Sequence, residues 1–256
     1  MKTFEKPLGL TPNDFKYLLI KENKLSEKSC CFARLDPLAR GLEPYLEDEE
    51  VKLFDNYLYN SDKEYEAEII LGISTDTDDI MGIYDDYYNL IISEDERYNI
   101  ISKITDEFDY LKKFGQSKQK YHPYSSFMLR KNGEKKPLWK WKKLNKLNDS
   151  DIPTKNINLY DINIIEYKTY NYSDLLQEFV KRINLVDKKH EFRQNNIIDQ
   201  WLRLDKLKMV NEIYSIKFRI NVSSGYYVRQ FCYDLKKKIN FPLVIFDINR
   251  TNINFK

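Results

Sequence analysis

Hydrophobic and polar residues recur along the start of this chain at the spacing of helices. Thr11-Pro12 has the form of a helix N-cap followed by proline, and the apolar spacing after it predicts a helix that ends near Asn23. Apolar positions over Val51–Leu58 predict a second amphipathic helix, which ends at a turn at Asn60-Ser61-Asp62. Both helices therefore precede the first long strand.

That strand is predicted over Lys63–Gly72. Tyr65, Ala67 and Ile69 alternate with glutamates, so they share one face of the strand. Tyr65 taken alone is best interpreted as a core aromatic, because most aromatic side chains at such positions are buried. Its context decides whether it has a second role.

The rest of the chain repeats the same two patterns without an internal repeat or a Gly/Ser/Pro-rich linker. The predicted elements are a helix opened by the capping box Ser93–Glu96, a basic stretch at Lys118–Lys146, a strand at Asp161–Tyr167, two helices within Ser173–Lys208, a strand at Ile216–Val222, a helical period towards Leu235, and a strand at Leu243–Ile248. We expect one α+β domain over residues 1–256, with a mixed or antiparallel central sheet, flanking helices and a helical insertion at about residues 173–208.

Composition narrows the function classes. Lys and Arg total 42 against 40 Asp and Glu, so the net charge of +2 creates no global attraction for nucleic acid, and any basic surface is local. The three cysteines form no CxxC pair and no apolar leader opens the chain, so we expect a reducing, cytoplasmic location. The two histidines leave few ligands for zinc, and no run approaches a membrane span.

One carboxylate stands out chemically. Asp36 lies between Leu35 and Pro37, and a proline restricts both its own φ angle and the conformation of the residue before it. A short carboxylate on such a rigid loop suits a nucleophile, which needs fixed geometry more than basicity. The alternative is a turn in which Asp36 caps the following helix.

Four separated motifs stand in a fixed order: KPLG at Lys6–Gly9, RLDPLARG at Arg34–Gly41, KEYEAEIILG at Lys63–Gly72 and SSGYYVRQFCYDL at Ser223–Leu235. This order resembles the TruB family of pseudouridine synthases, which isomerise the T-loop uridine of transfer RNA. TDTDD after the strand, HPYSS at His122–Ser126 and the ending Ile248-Asn249-Arg250 extend the resemblance over nearly the whole chain.

The resemblance implies an isomerase that uses no metal or other cofactor. It makes Asp36 the catalytic carboxylate, which attacks the nucleoside or takes a ribose proton. Tyr65 becomes the ring that stacks on a flipped uracil and assists proton removal from C5, and Arg229 the ion-pair partner of Asp36. An arginine suits this position because it keeps a buried carboxylate ionised without losing its own proton. The substrate-binding residues implied are Lys6, Pro7, Tyr124 and Ile248.

The chain also departs from the family. Cys31-Phe32-Ala33 stands where bacterial members have His-Thr-Gly, and we interpret Cys31 as a buried residue. The C-terminal RNA-binding domain of many members is expected to be absent. The basic segment Ser173–Lys208 is expected to replace it, with Lys188, Lys189 and Arg193 on RNA phosphates. A merely solvated hairpin is the alternative there, in which case Lys118–Lys146 holds the RNA.

We therefore expect a pseudouridine synthase that acts as a monomer on RNA, most simply tRNA, with no membrane association. Two other hypotheses stay open. The substrate is another structured RNA or a messenger RNA, or the protein is an RNA-binding chaperone that folds tRNA without catalysis. The intact set of Asp36, Tyr65 and Arg229 favours the enzyme, because RNA binding alone does not require these three residue types.

Overall fold

The fold was analysed in a computed structural model that describes residues 1–87, 93–207 and 211–255. The predicted end of the helical insertion, Lys208, lies outside the described residues. The strands are β1 (Lys2–Lys6), β2 (Ser29–Cys31), β3 (Ala39–Glu47), β4 (Ser61–Leu71), β5 (Ile73–Thr75), β6 (Tyr84–Tyr87), β7 (Lys118–Lys120), β8 (Met128–Lys131), β9 (Glu134–Pro137), β10 (Thr154–Asn156), β11 (Leu159–Asn171), β12 (Glu212–Val222) and β13 (Leu243–Phe255). The helices are α1 (Pro12–Lys21), α2 (Phe54–Tyr59), α3 (Glu94–Phe114), α4 (Leu138–Lys143), α5 (Tyr172–Asn184), α6 (Gln194–Leu207) and α7 (Val228–Ile239).

A seven-stranded sheet forms the centre of the fold. Its strands lie in the order β1-β3-β13-β4-β12-β11, and β2 pairs with β3. β13 and β3 run parallel, and the other pairs are antiparallel. The expected mixed central sheet is thus confirmed.

Alternation along the strands gives the sheet two apolar faces. On β4, Ala67, Ile69 and Leu71 point into a core that α3 and α7 cover, while Ile70 points into a second core on the opposite face. The helices α5 and α6 cover that second core. Helices therefore flank the sheet on both faces, as the periodicity predicts.

Two predicted helix starts are confirmed by their caps, whereas the helix predicted from Val51 is wrong in its start, because Asp48–Leu53 form a 3₁₀-helix and α2 begins at Phe54. The hydroxyl of Thr11 accepts a hydrogen bond from the backbone of Asp14 at the start of α1, and Ser93 and Glu96 form the capping box of α3. The predicted turn at Asn60-Ser61-Asp62 is wrong in its last two residues, because Ser61 already pairs with Phe255 as the first residue of β4. The partner strand β13 is longer than predicted, and this pairing extends β4.

A bulge in β13 changes which residues face the first core. Leu243 and Ile245 face that core, and the register then shifts between Ile245 and Asp247. Ile248, rather than the residue that strict alternation would place there, consequently joins the same core as Tyr65.

One helix pair lies in the segment expected to be an insertion. The helices α5 and α6 connect β11 to β12, and their Phe179 and Trp201 rings meet edge to face with centroids 5.0 Å apart. Trp201 is buried and its indole nitrogen donates to the carbonyl of Ile80 at 3.1 Å. In the described part of the chain, no helix is at once long enough and apolar enough to cross a membrane.

Candidate active site

Asp36 lies on the loop between β2 and β3. The backbone amide of Ala39 donates to the carbonyl of Asp36 at 3.0 Å, which closes a turn, and β3 begins directly at Ala39. No helix follows the loop, so the alternative in which Asp36 caps a helix is wrong.

The structure brings Asp36 and Arg229 into contact although 193 positions separate them in sequence. Both Nε and Nη2 of Arg229 bond to Oδ2 of Asp36, at 2.8 and 2.7 Å. Arg229 is positioned by the first turn of α7, where the helical period begins after the Ser223-Ser224-Gly225 turn. The side chain of Arg229 is 6% exposed and that of Asp36 is 44% exposed, so a buried cation holds a carboxylate that is open to the cleft.

Arg229 also contacts the acidic loop after β5. Its Nε lies 3.5 Å from Oδ2 of Asp79, and its Nη1 donates to the carbonyl of Thr77 at 3.4 Å. Burial raises the pKa of Asp79 to about 6, against the lowering effect of Arg229. One guanidinium thus lies between two carboxylates, which fixes its orientation towards Asp36.

Three buried charged side chains hold the backbone of the Asp36 loop. A carboxylate oxygen of Glu43 accepts from the amide of Leu35 at 3.0 Å. Nη2 of Arg250 donates to the carbonyl of Ala33 at 2.6 Å. Because Glu43 is fully buried and Arg250 is 1% exposed, neither contact competes with water, and the loop is held rigidly on both sides of Asp36.

Lys6 is the third of these charges. Its ammonium donates to the carbonyls of Pro7, Pro37 and Ala39, at 3.0, 3.4 and 2.7 Å. Burial lowers the pKa of Lys6 to about 8, and the nearby Glu43 carboxylate opposes this shift. Of the predicted substrate-binding pair, Lys6 therefore lies against the loop backbone, whereas Pro7 is exposed and only its carbonyl joins this contact.

Tyr65 lies on β4 opposite Arg250 of β13. The ring is 6% exposed and packs in the same core as Leu35 and Ile248, so Tyr65 is a core aromatic, as its position alone predicts. Nη1 of Arg250 also donates to its hydroxyl at 3.4 Å. Arg250 thereby ties the Tyr65 hydroxyl to the Asp36 loop.

Ile248 lines the inner side of Asp36. A small cavity of about 10 Å³ is lined by Asp36, Leu38, Ala39, Asp79, Ile80, Ile245, Phe246 and Ile248. Its volume is that of about one water molecule. A uracil ring does not fit there, so a base approaches Asp36 from the exposed side of the carboxylate.

Tyr124 and Arg193, which the sequence assigns to different roles, meet through Asp76. The hydroxyl of Tyr124 donates to Asp76 at 2.8 Å, and Arg193 pairs with both oxygens of Asp76 at 2.7 and 3.2 Å. The guanidinium of Arg193 also lies 5.4 Å from the centre of the Tyr124 ring. Arg193 therefore joins the α5–α6 pair to the acidic loop of the cleft, and its charge is neutralised within the protein.

The two predicted lysines on the turn between α5 and α6 differ. Lys189 lies 3.0 Å from carboxylate oxygens of both Asp14 and Asp187. Lys188 is exposed, and no carboxylate among residues 1–87, 93–207 and 211–255 pairs with it. Of the three predicted phosphate contacts, Lys188 is the one whose charge no described side chain neutralises.

The basic stretch Lys118–Lys146 mixes buried and exposed aromatics. Trp141 is buried and donates to the carbonyl of Leu129 at 3.1 Å, whereas Trp139 is 41% exposed. His122 accepts at Nδ1 from the amide of Tyr124, so Nε2 carries the proton and donates to Asp78 at 3.0 Å. Burial lowers the pKa of His122, which favours this neutral form.

Cys31 is buried, as expected. Burial raises the pKa of its thiol well above the usual range, so the group stays protonated. Within the described residues, no group of three or more His, Cys, Asp or Glu side chains is arranged to hold a metal ion.

Sequence reasoning missed three residues at this site. Asp79 stands in the TDTDD motif, Arg250 ends the Ile248-Asn249-Arg250 motif and Glu43 lies two positions after RLDPLARG, yet none was assigned a contact. A charged residue within an otherwise apolar strand pattern would have indicated such a contact, because a charge that becomes buried needs a partner. Glu43 in β3 and Arg250 in β13 both fit it.

Comparison with known proteins places these motifs in context. Residues 23–179, more than half of the chain, match the family model described as "TruB family pseudouridylate synthase (N terminal domain)". A 79-residue stretch is 40% identical to the tRNA pseudouridine synthase B of Psychrobacter cryohalolentis, covering 29% of this chain and 22% of that protein. A 77-residue stretch is 43% identical to the tRNA pseudouridine synthase B of Xanthomonas oryzae pv. oryzae, covering 29% and 24%. The matched stretch spans about a quarter of the length of these curated relatives.

Two solved structures share part of the backbone arrangement. "Crystal Structure of a Cbf5-Nop10-Gar1 Complex" superimposes with a TM-score of 0.47 at 15% identity, covering 97% of this chain and 47% of that chain. "Structure of H/ACA RNP bound to a substrate RNA containing 2'-deoxyuridine" gives a TM-score of 0.46 at 15% identity, covering 97% and 45%.

Proposed function

This chain belongs to the TruB family of pseudouridylate synthases, and from that premise we propose that it isomerises uridine to pseudouridine in RNA, with the T-loop of tRNA as its target. The named relatives are tRNA pseudouridine synthases, which supports tRNA as the substrate class. The observation that carries the proposal is the Asp36–Arg229 ion pair at the mouth of the cleft.

The geometry of Asp36 supports a catalytic carboxylate. Arg229 pairs with it and points it outwards, and Lys6, Glu43 and Arg250 hold the loop backbone. A loop held in this way does not have to reorganise during the reaction, which is the main benefit of a preorganised site.

The reaction is an isomerisation, so every atom of the uridine is kept. In the proposed sequence the target nucleotide flips out of its stack. The bond between N1 of uracil and C1′ of ribose breaks while the Asp36 carboxylate acts on the ribose, and the uracil leaves with the bonding electrons. The base rotates, and C5 bonds to C1′ as Asp36 leaves C1′ or returns the ribose proton. The C5 proton is then removed and N1 regains a proton, so Asp36 ends as it began.

Tyr65 and Ile248 would hold the base during this rotation, which requires the side chains around the small cavity to move apart, because the two residues are only 6% and 7% exposed. The Tyr65 ring supplies an aromatic surface beside the loop, and the bulge in β13 brings Ile248 to the same side. The Tyr65 hydroxyl, which Arg250 contacts, is then available to assist removal of the C5 proton.

The direct test is to incubate the purified chain with an unmodified tRNA transcript and to locate pseudouridine by chemical marking and sequencing. We expect one modified uridine in the T-loop. Modification at another position would retain the reaction and change the substrate, whereas tight tRNA binding without any pseudouridine would favour the chaperone.

A further inference from the structure

A polar groove opens beside the candidate active site, and none of its lining residues belongs to the set proposed for catalysis. It has a volume of about 430 Å³, within the range of small-ligand sites. Its lining residues are Tyr59, Ser117, Lys118, Asn156, Ile157, Asn158, Ser223 and Ser224. Hydroxyl and amide groups dominate this lining, which suits a sugar–phosphate more than an apolar ligand.

Two lining residues are free to contact a ligand. Tyr59, at the end of α2, is 73% exposed, so one face of its ring is open. Lys118 is exposed, and across the described ranges 1–87, 93–207 and 211–255 no carboxylate pairs with its ammonium. An open aromatic ring beside an unpaired cation is the combination that holds a single-stranded nucleotide.

Two lysine side chains lie next to the lining of the groove. Lys63 donates to the backbone and hydroxyl of Ser61 at 2.9 and 2.8 Å and to the lining Ser224 at 3.4 Å. The Nζ atom of Lys155 is buried, contacts no hydrogen-bond acceptor among the described residues, and lies 3.9 Å from the centre of the Tyr227 ring. Burial lowers the pKa of both lysines to about 7, so a phosphate bound in the groove would favour their charged forms.

The groove is close to the proposed reaction centre. Lys63 lies two positions before Tyr65 on the same face of β4, a rise of about 7 Å. Ser224 precedes Arg229 by five positions, in the turn that leads from β12 into α7. An RNA strand that leaves the Asp36 cleft along this side therefore meets the groove at the next step of its backbone.

We propose that this groove binds the nucleotide next to the target uridine, with Lys118 on its phosphate and the Tyr59 ring on its base. The proposal rests on the proposed function, because it requires an RNA substrate at Asp36. The serines and asparagines of the lining supply hydrogen bonds to the ribose, and Lys63 and Lys155 add attraction for the phosphate from behind the wall.

The test uses the full chain and a tRNA transcript. Tyr59→Ala and Lys118→Ala are each expected to weaken binding about tenfold, Tyr59→Ala through lost stacking and Lys118→Ala through a lost phosphate contact. Lys118→Ala is also expected to lower the slope of log affinity against log salt by about 0.7 to 0.9, whereas Tyr59→Ala leaves that slope unchanged.

A fluorescent base analogue placed beside the target uridine gives a second measurement. Its emission is expected to be quenched on binding to wild type and to Tyr59→Phe, and not on binding to Tyr59→Ala. Tyr17→Ala and Lys21→Ala, two exposed positions of α1 outside the groove, serve as matched controls.

The outcomes separate the two proposals. If wild type forms pseudouridine but both variants bind with unchanged affinity, salt slope and quenching, the groove proposal is wrong and the proposed function stands. If Tyr59→Ala and Lys118→Ala show the expected losses in tRNA binding but wild type forms no pseudouridine in the tRNA, the groove proposal stands and the proposed function fails. All of the substituted side chains are exposed, and circular dichroism checks that each variant is folded.

Discussion

At the scale of single residues, the candidate site depends on buried charges that hold one exposed carboxylate. Arg229 contacts Asp36 and Asp79 together, and only a forked guanidinium reaches both in this geometry. Lys6, Glu43 and Arg250 then fix the loop backbone. The cost of burying these charges is offset by hydrogen bonds to carbonyl and amide groups.

Arg229→Lys tests the fork directly. A lysine keeps the charge but offers a single ammonium, so it cannot contact Asp36 and Asp79 in the same way. We expect the single-turnover rate of pseudouridine formation to fall at least tenfold, an increase in barrier of about 1.4 kcal/mol, while tRNA affinity stays within about threefold. An unchanged rate would show that the fork is not required.

Arg250→Lys tests the link between Tyr65 and the loop. The shorter, single donor loses the contact with either the Ala33 carbonyl or the Tyr65 hydroxyl. We expect the free energy of unfolding, measured in denaturant, to fall by about 2 to 4 kcal/mol. We also expect the single-turnover rate of pseudouridine formation to fall. The double variant Arg250→Lys/Tyr65→Phe then separates two cases. If its rate equals that of Tyr65→Phe alone, the two residues act together. If the losses of the two single variants add, they do not.

The raised pKa of Asp79 predicts a change in stability with pH. A folded pKa of about 6, above the usual 3.8, means that the folded state holds this proton more tightly than the unfolded chain. Protonated Asp79 therefore adds up to about 3 kcal/mol to the free energy of unfolding below pH 4. This stabilisation is lost as the pH rises through about 6.

Asp79→Asn removes this titration. Denaturation curves at pH 4 and pH 6.5 should show that wild type loses more stability over this range than Asp79→Asn does, while the exposed Asp109→Asn behaves like wild type. Parallel pH profiles for wild type and Asp79→Asn would contradict the raised pKa.

At the scale of elements, local patterns predict what each segment is, and pairing decides what each segment contacts. The cap at Thr11, the capping box at Ser93 and the helical period around Arg229 were readable because each depends on neighbours in sequence. Glu43 and Arg250 meet at the Asp36 loop only because β3 and β13 pair in parallel. No local pattern encodes that pairing.

A close backbone approach permits this parallel pairing. Gly41 has φ +104°, and a Cβ at this position would lie 2.3 Å from the carbonyl oxygen of Arg250. Any larger residue would therefore separate β3 from β13 and move Arg250 away from the loop. The last position of the RLDPLARG motif thus requires glycine because of a backbone contact that forms only in the folded sheet.

The helix pair α5–α6 shows the same limit for charge patterns. Counting basic residues predicts a phosphate-binding surface, but Arg193 pairs with Asp76, which is 117 positions away. We expect Arg193→Ala to leave the salt slope of tRNA binding unchanged and Lys188→Ala to lower it by about 0.7 to 0.9. A reduced slope for Arg193→Ala would return that residue to the RNA surface.

A substitution at Trp201 tests how α6 is attached to the rest of the fold. Its indole nitrogen donates to the carbonyl of Ile80, which borders the acidic loop at Asp79. Trp201→Phe retains most of the apolar volume and leaves that carbonyl unsatisfied, so we expect a loss of about 1 to 3 kcal/mol in the free energy of unfolding. Phe179→Leu, in the same core, is a control for ring packing alone.

At the scale of the whole molecule, a nearly neutral chain places three lysines around the groove proposed to bind RNA. The net charge of +2 predicts no overall attraction, and the composition alone did not locate the basic surface. In the folded protein, Lys63 and Lys155 lie behind one groove and Lys118 lies at its edge. Local charge of this kind favours binding of a particular strand over general attraction to nucleic acid.

The most direct test of the account is the comparison of wild type with Asp36→Asn. The amide keeps the size of the side chain and loses the charge that Arg229 holds in place. We expect Asp36→Asn to bind the tRNA transcript with nearly wild-type affinity and to form no detectable pseudouridine after chemical marking and sequencing. Pseudouridine formation within about tenfold of the wild-type rate, a difference of about 1.4 kcal/mol in barrier, would contradict the assignment of Asp36 as the catalytic carboxylate.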